Sequence, residues 1–171
     1  TEYEDFQAQS TFLAPDGGLS LTLNNVGELE TRGLEINAVA LIGESLTLSI
    51  GAAYIDALIK SFDGADCYPG QGPTEGCVDG LQDISDGDLP NSPELKWNIV
   101  ADYRMELASM PFYGFVNLSY VWQDEVNLSL LQSPISVHES YGVGDFSFGI
   151  NEKNDDRYRI TAFVNNFADE I

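Results

Sequence analysis

Residues 24–56 read NNVGELETRGLEINAVALIGESLTLSIGAAYID, two runs of strict alternation joined by a three-residue turn. In the first run Leu34, Ile36, Ala38, Ala40 and Ile42 share one face, and Glu35, Asn37, Val39 and Leu41 the other. In the second, Leu46, Leu48, Ile50, Ala52 and Tyr54 stand opposite Thr47, Ser49, Gly51 and Ala53. Period two with β-branched and aromatic residues marks strands rather than helices. Gly43-Glu44-Ser45 closes the hairpin, with glycine supplying the backbone freedom that a reversal needs. Each apolar face continues for about the 9–11 residues that a tilted strand needs to cross a bilayer.

The rest of the chain repeats this unit. Residues 3–12 read as a strand that is broken by Pro15-Asp16-Gly17-Gly18, a turn sequence. Leu19, Leu21 and Leu23 lead into the long hairpin, and Glu28, Glu30 and Arg32 continue the Leu34 face, so that upper part belongs outside any lipid. Over 95–107, Leu95, Trp97, Ile99, Ala101, Tyr103, Met105 and Leu107 alternate with Lys96, Asn98, Val100, Asp102, Arg104 and Glu106. After the turn Ala108-Ser109-Met110-Pro111, the strand over 112–123 sets Phe112, Gly114, Val116, Leu118, Tyr120 and Trp122 against Tyr113, Phe115, Asn117, Ser119, Val121 and Gln123. Two more strands, over 141–150 and 157–165, flank the polar turn 151–156. The expectation is an all-β, antiparallel meander of about seven long strands.

Its connections alternate in length. GES, ASMP and NEKNDD are short, whereas residues 61–93 form a long loop without alternation. Transmembrane β-barrels pair short periplasmic turns with long extracellular loops. That orientation places the loop 61–93 outside the cell, Trp97, Tyr120 and Trp122 near the outer interface, and Tyr103 and Phe112 near the inner one, as aromatic girdles require. Alternation by itself also fits a soluble β-sandwich with the Leu95 face in its core. Strand length, turn asymmetry and aromatic placement favour the membrane.

Composition sets further limits. Against 28 Asp and Glu stand 7 Lys and Arg in 171 residues, a formal charge of −21. Nucleic acid is excluded as a partner, because phosphate binding needs a basic patch. No stretch approaches the eighteen or so apolar residues of a transmembrane helix, which in a β-barrel excludes little.

The candidate functional residues fall in two groups. Cys67 and Cys77, in CYPGQGPTEGC, are expected to pair as a disulfide, closing a short loop in an oxidising compartment. Tyr68, Asp79, Asp83, Asp86 and Asp88 in the same loop are the candidate ligand contacts; the plainer reading is a solvated loop. Their spacing is not that of an EF-hand, and two sulfurs with only a distant His138 do not make a zinc site. No cofactor is implied. Lys96, Asp102, Arg104, Glu106, Arg157 and Arg159 are the candidate lumen wall, either a solvated row of paired charges or a contact surface, with Tyr113 and Phe115 beside them. His138 has no local acid–base partner and no nucleophile motif appears, so an enzyme is not expected.

One ordered set of motifs points further. Tyr3-Glu4-Asp5-Phe6-Gln7 is followed by Asn25-Val26-Gly27, Thr31-Arg32-Gly33-Leu34-Glu35 and Gly51-Ala52-Ala53-Tyr54-Ile55-Asp56-Ala57. Leu89-Pro90-Asn91-Ser92-Pro93 then opens a strand, and Phe163-Val164-Asn165-Asn166-Phe167-Ala168-Asp169-Glu170 ends the series. In this order the motifs resemble the C-terminal part of the barrel of TonB-dependent outer-membrane receptors. The resemblance implies a 22-stranded barrel closed around an N-terminal plug domain in the outer membrane of a Gram-negative bacterium. It implies import of a scarce nutrient ligand with energy from the inner-membrane TonB complex. It makes residues 1–171 a partial barrel domain, with plug and final strand outside them. About seven strands cannot close so wide a barrel, so an open curved sheet with two unpaired edges is expected. The rival functions are a secreted β-sandwich that binds carbohydrate, and a passive porin.

Overall fold

The computed structural model describes residues 1–13, 18–154 and 157–170. Seven long strands dominate: β1 (Glu2–Leu13), β2 (Leu19–Ile42), β3 (Leu46–Ser61), β4 (Leu95–Glu106), β5 (Phe112–Gln123), β6 (Tyr141–Glu152) and β7 (Arg159–Val164). Their order in the sheet is their order in the chain, and the two-residue strand Gly87–Asp88 pairs with the end of β3. Among the described residues β1 and β7 each have one strand partner, so the sheet is open. The expected meander is therefore found. All the long strands fall in one sheet rather than in the two that a sandwich needs. Of the expected turn at Pro15-Asp16-Gly17-Gly18 only Gly18 lies among the described residues, and Asp155 and Asp156 of the polar turn lie outside them.

β2 is a single strand of 24 residues that takes in the Leu19 stretch, as its lead into the hairpin implied, and β3 continues five residues beyond Asp56 to Ser61. This extension escapes a pattern argument because Ala57 and Ile59 are apolar in the phase of Ser49 and Gly51. They meet protein there rather than water. Ile59 is fully buried and Ala57 nearly so.

The chain divides into two compact units. One comprises Thr1–Gly33, Ile55–Glu94 and Glu125–Glu139. Its core is Leu29, Ile59, Phe62, Ala65, Ile84, Leu130 and Leu131, with Tyr68 and Leu89 packed against it. The long connection after β3 is thus a folded piece with its own short ladder, Ala65–Asp66 against Leu81–Gln82. Asp79 and Gly80 turn that hairpin with φ of 54° and 84° between Val78 and Leu81, the left-handed pair of an Asp-Gly reversal.

The second unit comprises Leu34–Tyr54, Leu95–Asp124 and Ser140–Ile171. Here the register confirms the two faces read from alternation. Lys96, Asn98, Val100, Asp102, Arg104 and Glu106 lie opposite Gln123, Val121, Ser119, Asn117, Phe115 and Tyr113. The same row continues through Tyr141, Val143, Asp145, Ser147, Gly149 and Asn151 on β6. Trp97 pairs with Trp122 and Ile99 with Tyr120 on the other face.

Candidate functional site: a stapled loop unit and a polar sheet face

Cys67 and Cys77 are joined, with Cα atoms 5.8 Å apart. Inside the ring they close, a 3-10 turn over Pro73–Glu75 carries the chain back, ending at Gly76 with φ 92°. Gln71 fixes this ring from within. Its Oε1 accepts from the Tyr68 amide at 3.0 Å, and its Nε2 donates to the Glu75 carbonyl at 3.0 Å. Tyr68 is half-buried against the core, and burial first, then the charge and hydrogen bond of Glu75, raise its phenol above the ordinary range.

The four aspartates do not converge. Asp79 forms the hairpin reversal, and Asp83 accepts from the Ser85 amide at 2.9 Å. Hydrogen bonds from the Ser85 hydroxyl and amide lower the Asp83 carboxyl below its usual range. The Phe62 amide in turn donates to Ser85 Oγ at 2.9 Å, which ties the aspartate to the core. Asp86 and Asp88 are exposed. Among the described residues no group of three or more His, Cys, Asp or Glu is arranged to hold a metal ion.

An ion cluster lies in the same unit, outside the candidate residues. Glu30 is nearly buried and is held by Lys60 Nζ at 3.2 Å and by Arg32. Burial alone would raise its carboxyl; the hydrogen bonds and charges of Lys60 and Arg32 outweigh this and bring it below the ordinary value. Glu30 stands on β2 and Lys60 on its hairpin partner β3, so the pair joins neighbouring strands.

On the polar face of the second unit, Asn117 donates to Asp102 Oδ1 and accepts from Ser147 Oγ at 3.3 Å, a ladder across β4, β5 and β6. Glu106 pairs with Arg104 at 3.4 Å and with Lys153 at 2.8 Å. Arg104 lies 3.8 Å over the Tyr113 ring, and Arg159 4.3 Å over Phe115. Gly149 makes the second stack geometrically accessible: it stands between Phe115 and Thr161 in register and leaves the ring room to lean toward β7. Lys96 lies apart, at a shallow recess with Glu35, Asn37, Gly51 and Asn98. Arg157 precedes β7 and pairs with Glu152 at 3.5 Å, away from this row. Asp102, Arg104 and Glu106 thus share one face with the Phe115 ring under Arg159, Lys96 stands farther along that face, and Arg157 pairs with Glu152.

The opposite face is apolar and carries an aromatic cluster. Trp97 stacks on Trp122 at 6.3 Å and packs against Tyr120 at 5.4 Å, and Tyr120 meets Phe167 at 6.3 Å. Gly142 and Gly144 leave the space in which Tyr120 and Phe167 lie. Leu34, Ile36 and Ile50 on this face are exposed.

A sheet of long antiparallel strands, apolar on one side and hydrogen-bonded and charged on the other, has the pattern that the wall of a transmembrane β-barrel requires. The family model described as TonB dependent receptor-like, beta-barrel matches residues 1–167. The chain belongs to that family. Its structure is similar to that of the siderophore receptor PiuA from Acinetobacter baumannii, with a TM-score of 0.65 and 21% identity. The match covers 99% of this chain and 21% of that one, so the chain spans about a fifth of the matched protein's length. A comparison with curated proteins gave no match.

Proposed function

We propose that this chain forms part of the barrel of an outer-membrane receptor that captures a scarce nutrient and imports it with TonB-coupled energy. The observation that carries the reading is the two-faced sheet of a family member whose first long connection folds into a stapled unit. In this reading the apolar face meets lipid, and the row Asp102, Arg104, Glu106 and Arg159 meets the plug domain of the complete chain. The loop 61–93 meets the ligand outside the cell. Its role is capture and transport, not catalysis. The similar Acinetobacter protein is a siderophore receptor, and ferric siderophores are the first ligands to test.

The test is uptake. The complete gene is deleted in its host under iron limitation and restored with and without functional TonB. Expected is uptake of at least one ferric siderophore that needs both the receptor and TonB. Uptake that persists without TonB would make the protein a passive pore and overturn the reading.

A further inference from the structure

We propose that Gln82 is a positioning residue through which the Cys67–Cys77 ring holds the second long connection, residues 124–140, so that the two connections move as one capture element. Gln82 is buried and lies on the short ladder next to the disulfide ring. Its side chain reaches three places. Nε2 donates to the Asp66 carbonyl at 2.9 Å and to the Leu131 carbonyl at 2.9 Å, and Oε1 accepts from Gln71 Nε2 at 2.8 Å. Leu131 belongs to the other connection, 49 residues away in sequence.

The amide of Gln82 has one orientation that satisfies all three partners. Gln71 selects it, because only the side-chain oxygen of Gln82 accepts from a Gln71 amide nitrogen. Gln71 is itself fixed by the ring, through the Tyr68 amide and the Glu75 carbonyl. The order of control therefore runs from the disulfide ring to Gln71, to Gln82, and to Leu131.

Apolar packing reinforces this contact, since Leu130 and Leu131 complete the core with Phe62, Ala65 and Ile84. Packing is adaptable, whereas a buried carbonyl that loses its donor carries a full desolvation cost. Gln82 is thus the group whose loss frees the Leu131 backbone. Two further links, Gln132 Nε2 to the Asp88 carbonyl and the Asn91 amide to the Asn127 carbonyl, are less buried.

The capture role of this element rests on the function proposed above; the coupling does not, and its test needs no ligand. The complete receptor in outer-membrane vesicles is followed by hydrogen exchange and mass spectrometry, with and without a phosphine reductant. Expected on reduction is faster exchange in peptides covering 128–132, on the order of tenfold, the factor that one buried hydrogen bond gives to a local opening. Gln82→Met keeps the side-chain length and removes the hydrogen bonds. It should speed the same peptides by a similar factor, and reduction should then add nothing there. Acceleration confined to residues 66–82, or a Gln82→Met receptor whose 128–132 exchange is unchanged, would overturn the proposal. Should Gln82→Met not reach the outer membrane, reduction of the wild-type receptor decides alone.

Discussion

At the scale of single residues, Glu30 and Gly149 give the sharpest expectations. Glu30 draws both nearby cations to one nearly buried carboxylate, and its folded-state acidity is shifted downward. The ionised form is therefore favoured by folding. Its stabilisation is present above the ordinary carboxyl value and is lost as pH falls through the lower, folded value. Unfolding of the complete receptor in detergent should show stability declining below about pH 4, near the ordinary glutamate value. Glu30→Gln should be less stable at neutral pH and lose that part of the acid slope, while Asp83, whose carboxyl is shifted the same way, keeps its own part. An unchanged acid slope in Glu30→Gln would place the effect elsewhere. Gly149 is tested by volume. A Cβ there would lie 2.0 Å from the Ile160 carbonyl oxygen, a backbone atom. Gly149→Ala should therefore part β6 from β7 locally and cost about 1–3 kcal/mol, the usual range for overpacking. Gly64→Ala is the control, since nothing lies within 4 Å of its Cβ. It should stay within about 0.5 kcal/mol.

At the scale of the strand, the two faces of β4 predict opposite tolerances. Arg in place of Ile99 or Ala101 should cost about 2–4 kcal/mol near the midplane of a bilayer, and in place of Asn98 far less. Folding into lipid vesicles measures both; equal tolerance would count against lipid contact by the Ile99 face. This much was legible in the sequence, because period two fixes which residues share a face once a strand is granted. The register of β4 on β5 pairs Trp97 with Trp122 and Asp102 with Asn117, as face and turn length require. What alternation does not carry is contact between connections. Nothing in the spacing of Gln82 and Leu131 brings them together, because such contacts depend on how irregular backbone folds. One signal was available: Asp79-Gly80 between Val78 and Leu81 is a hairpin dipeptide, and it announces local structure inside the loop. The candidate wall residues divide in the same way. Asp102, Arg104 and Glu106 follow from alternation on one strand. Arg157 does not, because it stands in the turn and pairs with Glu152.

At the scale of the whole molecule, the loop unit changes how its role in capture is best tested. Removing residues 66–86 would take out Gln82 together with Ile84 and Tyr68 from the core shared with Leu130 and Leu131, so a binding loss would report misfolding. Charge is the cleaner variable. Residues 61–93 carry seven carboxylates and no Lys or Arg. Of the candidate contacts, Asp83 is engaged with Ser85 and Tyr68 with the core, whereas Asp79, Asp86 and Asp88 are exposed. Asp79 and Asp86 hold φ of 54° and 61°, which asparagine also adopts readily, so Asn substitutions remove charge without straining the turns. The variant Asp79→Asn, Asp86→Asn, Asp88→Asn in the complete receptor should reach the cell surface at normal levels. Its binding of the nutrient identified by the uptake screen should weaken at low salt, by about tenfold if these charges steer encounter. The difference should shrink near physiological ionic strength, where the Debye length is about 8 Å. Binding to whole cells at both salt concentrations, normalised to surface expression, measures this. Unchanged affinity at low salt, with normal expression, would leave these three carboxylates to solvation and assign capture to other residues.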